Sequence, residues 1–272
     1  MLGKLLKHEF KNTGKVLLPL NLALIGVTLI GMIVLGSKIF ENEHTGMLAG
    51  ALLVFYILGI IALFIVTYVF LMITFYRSMY SAEGYLTHTL PVSPITTLNS
   101  KLIVSLFWAC LTMILSICSV VTLILTAVRT YGGSVDWSTF WSEFEKATGL
   151  SMGEVTAWAL LFIFLSCLSG LLMIYCSISI GQLFNKYKIL AAIITYVVIY
   201  ILMQIISMLS MIKTSMDTLS SSALEYSSQN TVLQASGIDN GFIISSLIQT
   251  SIYAIIFYVI TAYISSKKVN LD

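Results

Sequence analysis

Long apolar segments dominate this chain and alternate with short polar ones. Six of these segments contain no Asp, Glu, Lys or Arg. An apolar run of about 20 residues is long enough to cross the roughly 30 Å hydrocarbon core of a bilayer as a helix. A helix also satisfies its own backbone hydrogen bonds, which lipid cannot do. The sequence therefore predicts six transmembrane helices, at about 16–36, 47–76, 102–128, 155–181, 189–211 and 241–264.

Composition supports the same conclusion. Of the 272 residues, 58% are hydrophobic and only 10% are charged, and the mean hydropathy is +0.97. Soluble domains carry about 25% charged residues because their surfaces face water. The net charge of +2 gives no basis for nucleic-acid binding. We therefore expect an all-α membrane protein, with one transmembrane domain over residues 1–272 and membrane lipid around it.

Lys and Arg are unevenly distributed between the segments that join these spans. Ten of the 14 lie in one alternating set, which includes the N-terminal segment and the loop 77–101. The positive-inside rule places that set in the cytoplasm, and both termini with it. The first apolar segment is also longer than the roughly 7–15 residues of a signal-peptide core, so it is interpreted as a retained span.

The segment 1–15 has an amphipathic pattern. Its apolar residues recur at helical spacing, while three lysines occupy another face; the apolar residues are Leu2, Leu5, Leu6 and Phe10. This pattern predicts a short elbow helix lying along the inner headgroup layer. A charged tail that only sets the membrane orientation is the alternative.

A second short helix is predicted between the third and fourth spans. Asp136 can cap its start and Gly149 can end it, and its aromatic residues recur on one face: Trp137, Phe140, Trp141 and Phe144. Aromatic rings of this kind anchor helices at the headgroup level. The alternative is a lid over the outer end of a transport pathway.

The loop 77–101 has the most distinctive sequence outside the spans. A helix is expected to stop at Leu90, since the residue before a proline avoids helical geometry. Ser93 followed by Pro94 has the form of an N-cap and first helical residue, so the third helix should begin there. Apolar side chains on such a cytoplasmic loop indicate a surface for a partner protein.

At these residues the sequence resembles the permease subunits of ABC-2 type ABC transporters. The resemblance is carried by Glu83-Gly84-Tyr85-Leu86, by Thr89-Leu90-Pro91-Val92-Ser93 and by Ser100-Lys101-Leu102. These look like the first cytoplasmic loop of that family, which contains its coupling helix. The segment 179–186 is similar to the second cytoplasmic turn, and Lys7–Lys11 is similar to the elbow helix.

The resemblance implies a half-transporter that exports a drug, an antimicrobial peptide or a lipid-like molecule. Two permease subunits, identical or different, would pair in the inner (plasma) membrane of a bacterium, with an ABC-2 exporter-like fold. A separate ATPase subunit would carry ATP and magnesium, since this sequence contains no G-x-x-x-x-G-K-[ST] phosphate loop. On this interpretation the chain is not itself an enzyme and holds no cofactor. The residues expected to contact the ATPase are Glu83, Tyr85, Leu86, Thr87 and Leu90; a local cap is the alternative role for Glu83.

Polar residues inside the predicted spans have two possible roles. Residues of this type can line a transport pathway, or they can bond neighbouring helices and allow close packing. The candidates for pathway lining are Ser116, Thr195, Tyr200, Gln204 and Gln249.

The absence of charge in the six segments bears on the type of transport. Ion-coupled carriers usually hold ionisable residues within the bilayer, so an ATP-driven transporter is favoured over a secondary carrier. A non-transporting structural or sensory subunit remains a further alternative. An intramembrane enzyme is the least supported, since the spans lack the His, Asp and Glu combinations of acid–base or metal sites. The four cysteines have no metal-ligand spacing either.

Overall fold

The computed structural model describes residues 2–36, 43–81, 93–130, 133, 136–184, 186–226 and 240–267. Every regular element in this part of the chain is an α-helix. The all-α prediction is therefore confirmed for the described residues. The helices are α1 (Leu2–Gly36), α2 (Glu43–Tyr80), α3 (Pro94–Thr130), α4 (Trp137–Thr148), α5 (Met152–Gly181), α6 (Lys188–Tyr226) and α7 (Asn240–Lys267).

Six of these helices are long and apolar enough to cross a membrane, which confirms a multi-pass, membrane-type architecture. Each contains one of the apolar segments found in the sequence, and α4 is the short helix between the third and fourth. Several helices extend well beyond their apolar segment. At a rise of about 1.5 Å per residue, α2 and α3 are each about 55 Å long, which exceeds the hydrocarbon core.

Residues 2–15 form the first part of α1, which continues through Gly14 and Pro19 to Gly36 without interruption. The helical state expected for this segment is thus present. It forms one continuous helix with the first span. The position of residues 1–15 at a membrane surface stays a prediction.

The helix ends follow local capping chemistry. The backbone N–H of Thr96 donates to the Ser93 hydroxyl oxygen over 3.3 Å, and Pro94 is the first residue of α3. Asp136 caps α4 by accepting from the Ser138 backbone N–H over 3.1 Å. Gly149 follows the end of α4 with φ +68°, a conformation that favours glycine. The ends expected at Ser93-Pro94, Asp136 and Gly149 are therefore confirmed.

The chain divides into two compact units, Met1–Phe140 and Trp141–Asn270, and each is described separately. Unit 1 contains α1, α2 and α3, and unit 2 contains α5, α6 and α7. The prediction of a single transmembrane domain over 1–272 is not tested by this division and stays a prediction.

In unit 1, α1 packs along α3 and α2 makes a smaller contact with both. Contacts between α1 and α3 ascend together along both helices, from Glu9 with Lys101 to Thr28 with Ser119, so the two helices are parallel. Parallel first and third spans are expected when a second span crosses back between them.

In unit 2, α5 packs against both α6 and α7. The C-terminal half of α5 supplies much of the buried surface, including Leu171, Tyr175 and Cys176. Gly181 ends α5 against the start of α6, where an added Cβ would lie 2.6 Å from the Ala192 Cβ. In contrast, the most apolar stretch of 18 residues in α6 contains no residue that is buried within the chain.

Candidate functional site

The residues expected to contact the ATPase lie outside the described residues. Glu83, Tyr85, Leu86, Thr87 and Leu90 all fall within 82–92. The structure describes the helix on each side of that segment: α2 ends at Tyr80, and α3 begins at Pro94. The candidate site is therefore built from what lies immediately beside the loop.

A polar and aromatic cluster joins α1 to the first turns of α3. Its central contact is an ion pair between the Glu9 carboxylate and the Lys101 ammonium group, whose side chains are 15% and 6% exposed. We refer to it as the Glu9–Lys101 cluster, which comprises Glu9, Phe10, Thr13, Lys101, Phe107 and Trp108. Lys101 lies about two turns after the start of α3, so the cluster is next to the loop in the chain.

Hydrogen bonds and ring contacts extend this cluster along α1. The Trp108 indole N–H donates to the Thr13 hydroxyl oxygen over 3.0 Å, and that hydroxyl donates to the Glu9 carbonyl over 2.8 Å. The ring of Phe10 meets that of Phe107 edge to face at 5.1 Å. Each polar group is therefore paired as it is buried, as a low-dielectric interior requires.

The burial of the ion pair determines its energetic role. In a nearly dry interface, each of the two opposite charges compensates the other. Removing one side chain leaves the remaining charge buried without a counter-charge. The pair thus fixes the register of α1 on α3 more than it adds net stability. The N-terminal segment and the start of α3 are held together as one part of unit 1.

A second polar contact joins all three helices of unit 1 farther along. Ser119 of α3 contacts the hydroxyl of Thr28 on α1 and that of Tyr56 on α2. Thr28 donates its only hydroxyl hydrogen to the Leu24 carbonyl, over 2.8 Å. Ser119 must then donate to Thr28, and Tyr56 must donate to Ser119. We refer to this as the Tyr56–Ser119–Thr28 hydroxyl chain.

Two buried oxygens lie between these contacts and have no hydrogen-bond partner among the described residues. They are Asn21 Oδ1 on α1 and Thr112 Oγ1 on α3. The parallel register of the two helices places both residues at intermediate levels of the interface. The polar groups of this middle layer are therefore less completely hydrogen-bonded than those of the layers on either side of it.

Ser116, a candidate for pathway lining, lies on α3 in unit 1. It is buried, at 4% exposure, and donates to the Thr112 carbonyl of the same helix over 2.8 Å. Ser105 and Ser119 of α3 are also buried. The pathway-lining role of Ser116 stays a prediction.

The other four pathway candidates lie in unit 2. Gln249 of α7 donates its amide hydrogens to the Ser207 hydroxyl of α6 over 3.2 Å and to the Tyr253 hydroxyl over 2.7 Å. Thr195 is half-buried and donates to the Ala191 carbonyl over 2.7 Å. Tyr200 is 54% exposed and Gln204 is exposed.

Helical spacing places three of the α6 residues on one face. Tyr200, Gln204 and Ser207 are separated by four and three residues, and such positions are neighbours on a helix surface. Gln249 reaches this face from α7. We refer to Tyr200, Gln204, Ser207, Gln249 and Tyr253 as the α6–α7 polar strip.

Sequence reasoning missed the pairings that organise unit 1. The sequence marks Lys101 as a charge of the loop 77–101 and as part of Ser100-Lys101-Leu102, and it does not single out Tyr56 or Trp108. One signal was available for Glu9, which is the only acidic residue among the first 40. A lone carboxylate in a basic segment is a candidate for an ion pair, although the sequence does not identify its partner.

Among the described residues, no group of three or more His, Cys, Asp or Glu side chains could hold a metal ion. Comparison with protein-family models, with curated proteins and with solved structures finds no match to this chain.

Proposed function

We propose that this chain is the permease subunit of an ATP-driven, ABC-2 type exporter. It would lie in the inner membrane of a bacterium with both termini in the cytoplasm. A separate ATPase subunit would bind the loop 77–101, and a second permease subunit would complete the transporter. The proposal rests on the loop sequence from Glu83 to Leu102 and on six apolar helices with most Lys and Arg in one alternating set of loops.

The Glu9–Lys101 cluster supports one part of this proposal, which is that the loop transmits force to the membrane helices. A loop that receives force from a partner must be linked to the helices that move. Here the helix that follows the loop is bound to α1 about two turns from its start. Displacement of the loop would therefore be expected to move α1 and α3 together rather than to bend the start of α3 alone.

The α6–α7 polar strip supports a role in passing cargo or in pairing with a second subunit. An amide such as that of Gln204 is costly to leave against hydrocarbon. Its exposure within an apolar helix indicates a polar neighbour at that depth. The six apolar segments contain no charged residue, which favours an amphipathic or apolar cargo over an ion-coupled one.

The test is co-purification of the full-length chain with a P-loop ATPase encoded beside it, followed by ATPase measurements in proteoliposomes. We expect a stable complex whose ATPase activity responds to the cargo. Glu83→Ala and Leu86→Ala should reduce this response, because they remove polar and apolar contacts at the loop. Membrane insertion should not change.

Glu143→Ala is the matched control, since it removes an acidic residue of α4, which is predicted to lie on the opposite side of the membrane. It should leave the cargo response at the wild-type level. Wild-type transport and ATPase stimulation in both loop variants would contradict the assignment of the loop. Failure to bind any ATPase would contradict the proposed function as a whole.

A further inference from the structure

Unit 1 contains an apolar cavity of about 270 Å³ that the proposed function does not use. It lies between the C-terminal half of α1 and the N-terminal half of α2, with Leu123 of α3 as one wall. Apart from the Tyr56 hydroxyl, its side chains are entirely hydrocarbon; they include Val27, Gly31, Val34, Leu53, Tyr56 and Leu123. An engineered apolar cavity of about 150 Å³ stays dry and binds benzene, so this one is large enough for a bigger apolar group.

The cavity opens onto the outer surface of the helices within their apolar segments. Two of its lining residues, Ile30 and Phe55, are 62% and 71% exposed. Both belong to helices that are long and apolar enough to span a membrane. What meets the opening at this depth is the hydrocarbon of the bilayer rather than water.

The hydroxyl chain keeps the wall of the cavity in place. The ring of Tyr56 lines the cavity, while its hydroxyl is tied to Ser119 and through it to Thr28. All three hydroxyl hydrogens are used within the chain and at the Leu24 carbonyl. These contacts hold the ring at the wall of the cavity rather than in the space beside it.

We propose that this cavity holds one acyl chain of a membrane lipid. An apolar space of this size that opens onto hydrocarbon gains dispersion contacts when a flexible alkyl chain enters it. Water would lose hydrogen bonds in the same place, because the walls provide almost no polar partners. The site is thus a site for a lipid acyl chain between α1 and α2.

The experiment uses the full-length chain in vesicles of phosphatidylcholine that carries a photoactivatable diazirine within one acyl chain. After irradiation, labelled peptides are mapped by mass spectrometry. We expect labelling of residues 27–35 and 52–56 to exceed, several-fold, that of the equally apolar and exposed stretch 160–164 of α5. Labelling that does not exceed that stretch would overturn the proposal.

Two variants of α1 are designed to fill the cavity. Gly31→Leu places a side chain where a Cβ is already 3.0 Å from Leu123 Cδ2, and Val27→Trp extends a ring from the α1 wall. Both should abolish the excess labelling. Gly26→Leu is the matched control, since a Cβ there meets nothing within 4 Å, and it should retain the excess.

Folding of each variant is checked by gel filtration and circular dichroism. Unchanged labelling in a folded Gly31→Leu or Val27→Trp protein would overturn the proposal. If neither variant folds, the wild-type protein alone tests the proposal. Labelling at the cavity that exceeds labelling at 160–164 supports it, and labelling that does not exceed it overturns it. The assay needs neither ATP nor a partner subunit, so its result is independent of the proposed transport function.

Discussion

Glu9 and Lys101 bring two opposite charges into a nearly dry part of the α1–α3 interface, 92 positions apart in the chain. Removing one of them leaves the other buried without a counter-charge. For Lys101→Met we therefore expect unit 1 to lose about 3–5 kcal/mol of stability. Thermal unfolding of the full chain in detergent, followed by circular dichroism, measures the loss.

The control and the double variant separate this effect from a simple change of charge. Lys11→Met removes an exposed lysine from α1, the helix that carries Glu9, and should change stability by less than about 1 kcal/mol. Glu9→Gln combined with Lys101→Met removes both charges and should recover most of the loss. A double variant no more stable than Lys101→Met alone would show that the charge pairing is not what matters.

Asp136 gives a residue-level prediction for the dependence of α4 on pH. The Thr139 and Ser138 hydroxyls, with the backbone N–H groups of the same residues, hold the pKa of its carboxyl below the usual 3.8. A lowered pKa means that the folded state favours the carboxylate. The cap is then fully present above pH 3.8 and weakens as the pH falls through the lowered pKa.

We expect the amide resonances of Ser138 and Thr139 to shift together as the pH is taken from neutral to strongly acid, with a midpoint below 3.8. In Asp136→Asn the side chain still caps the helix but does not titrate, so the same resonances should stay in place. A midpoint at or above 3.8 in the wild-type chain would contradict the hydrogen bonding described for this cap.

Residue-level features were predictable where the signal is local. Ser93 and Pro94 mark the start of α3, and Asp136 and Gly149 bound α4, because capping depends on neighbours only a few positions away. The Glu9–Lys101 and Thr28–Ser119 contacts were not predictable in this way. They depend on the register between two helices, which periodicity within either helix does not determine.

At the level of elements, the connection between α5 and α6 has a strict steric requirement at Gly181. A Cβ at Gly181 would lie 2.7 Å from the Ala192 backbone nitrogen and 2.8 Å from its Cα. Backbone atoms cannot rotate away as a flexible side chain can. We expect Gly181→Ala to destabilise the protein by about 1–3 kcal/mol, as measured by thermal unfolding.

Gly153→Ala provides the comparison within the same helix. A Cβ at Gly153 meets nothing within 4 Å, and alanine is the better helix former by up to about 1 kcal/mol. The stability of this variant should be unchanged or slightly higher. Equal effects at the two positions would mean that the close approach of α5 and α6 at Gly181 is not maintained in the membrane.

The six apolar elements were predictable because their length and lack of charge are properties of single segments. The extension of α2 and α6 beyond those segments was less evident. Polar residues can continue a helix once it has formed, so composition marks the part that crosses the membrane rather than the whole helix. The extent of α6 to Tyr226 is an example.

For the whole molecule, the uneven distribution of Lys and Arg predicts an orientation that can be measured directly. In a background without Cys110, Cys118, Cys167 and Cys176, the single variants Lys11→Cys and Lys186→Cys should face the cytoplasm, and Glu143→Cys should face outward. A membrane-impermeant maleimide should label only Glu143→Cys in intact cells, and all three after lysis.

The reverse pattern would place the loop 77–101 outside the cell and would contradict the proposed contact with an ATPase. Labelling of all three positions in intact cells would indicate leaky membranes, which a cytoplasmic marker protein reports independently. The pattern does not depend on the identity of the cargo.

The parallel pairing of α1 with α3 restricts how unit 1 can rearrange. Contacts at Glu9–Lys101, at Thr13–Trp108 and at Thr28–Ser119 lie at successive levels of one interface. Sliding one helix past the other by a turn, about 5.4 Å, would break all three at the same time. Shear between these two spans is therefore disfavoured, and a conformational cycle would carry them as a rigid pair, with the change in geometry taken up by α2, whose contact with both is smaller.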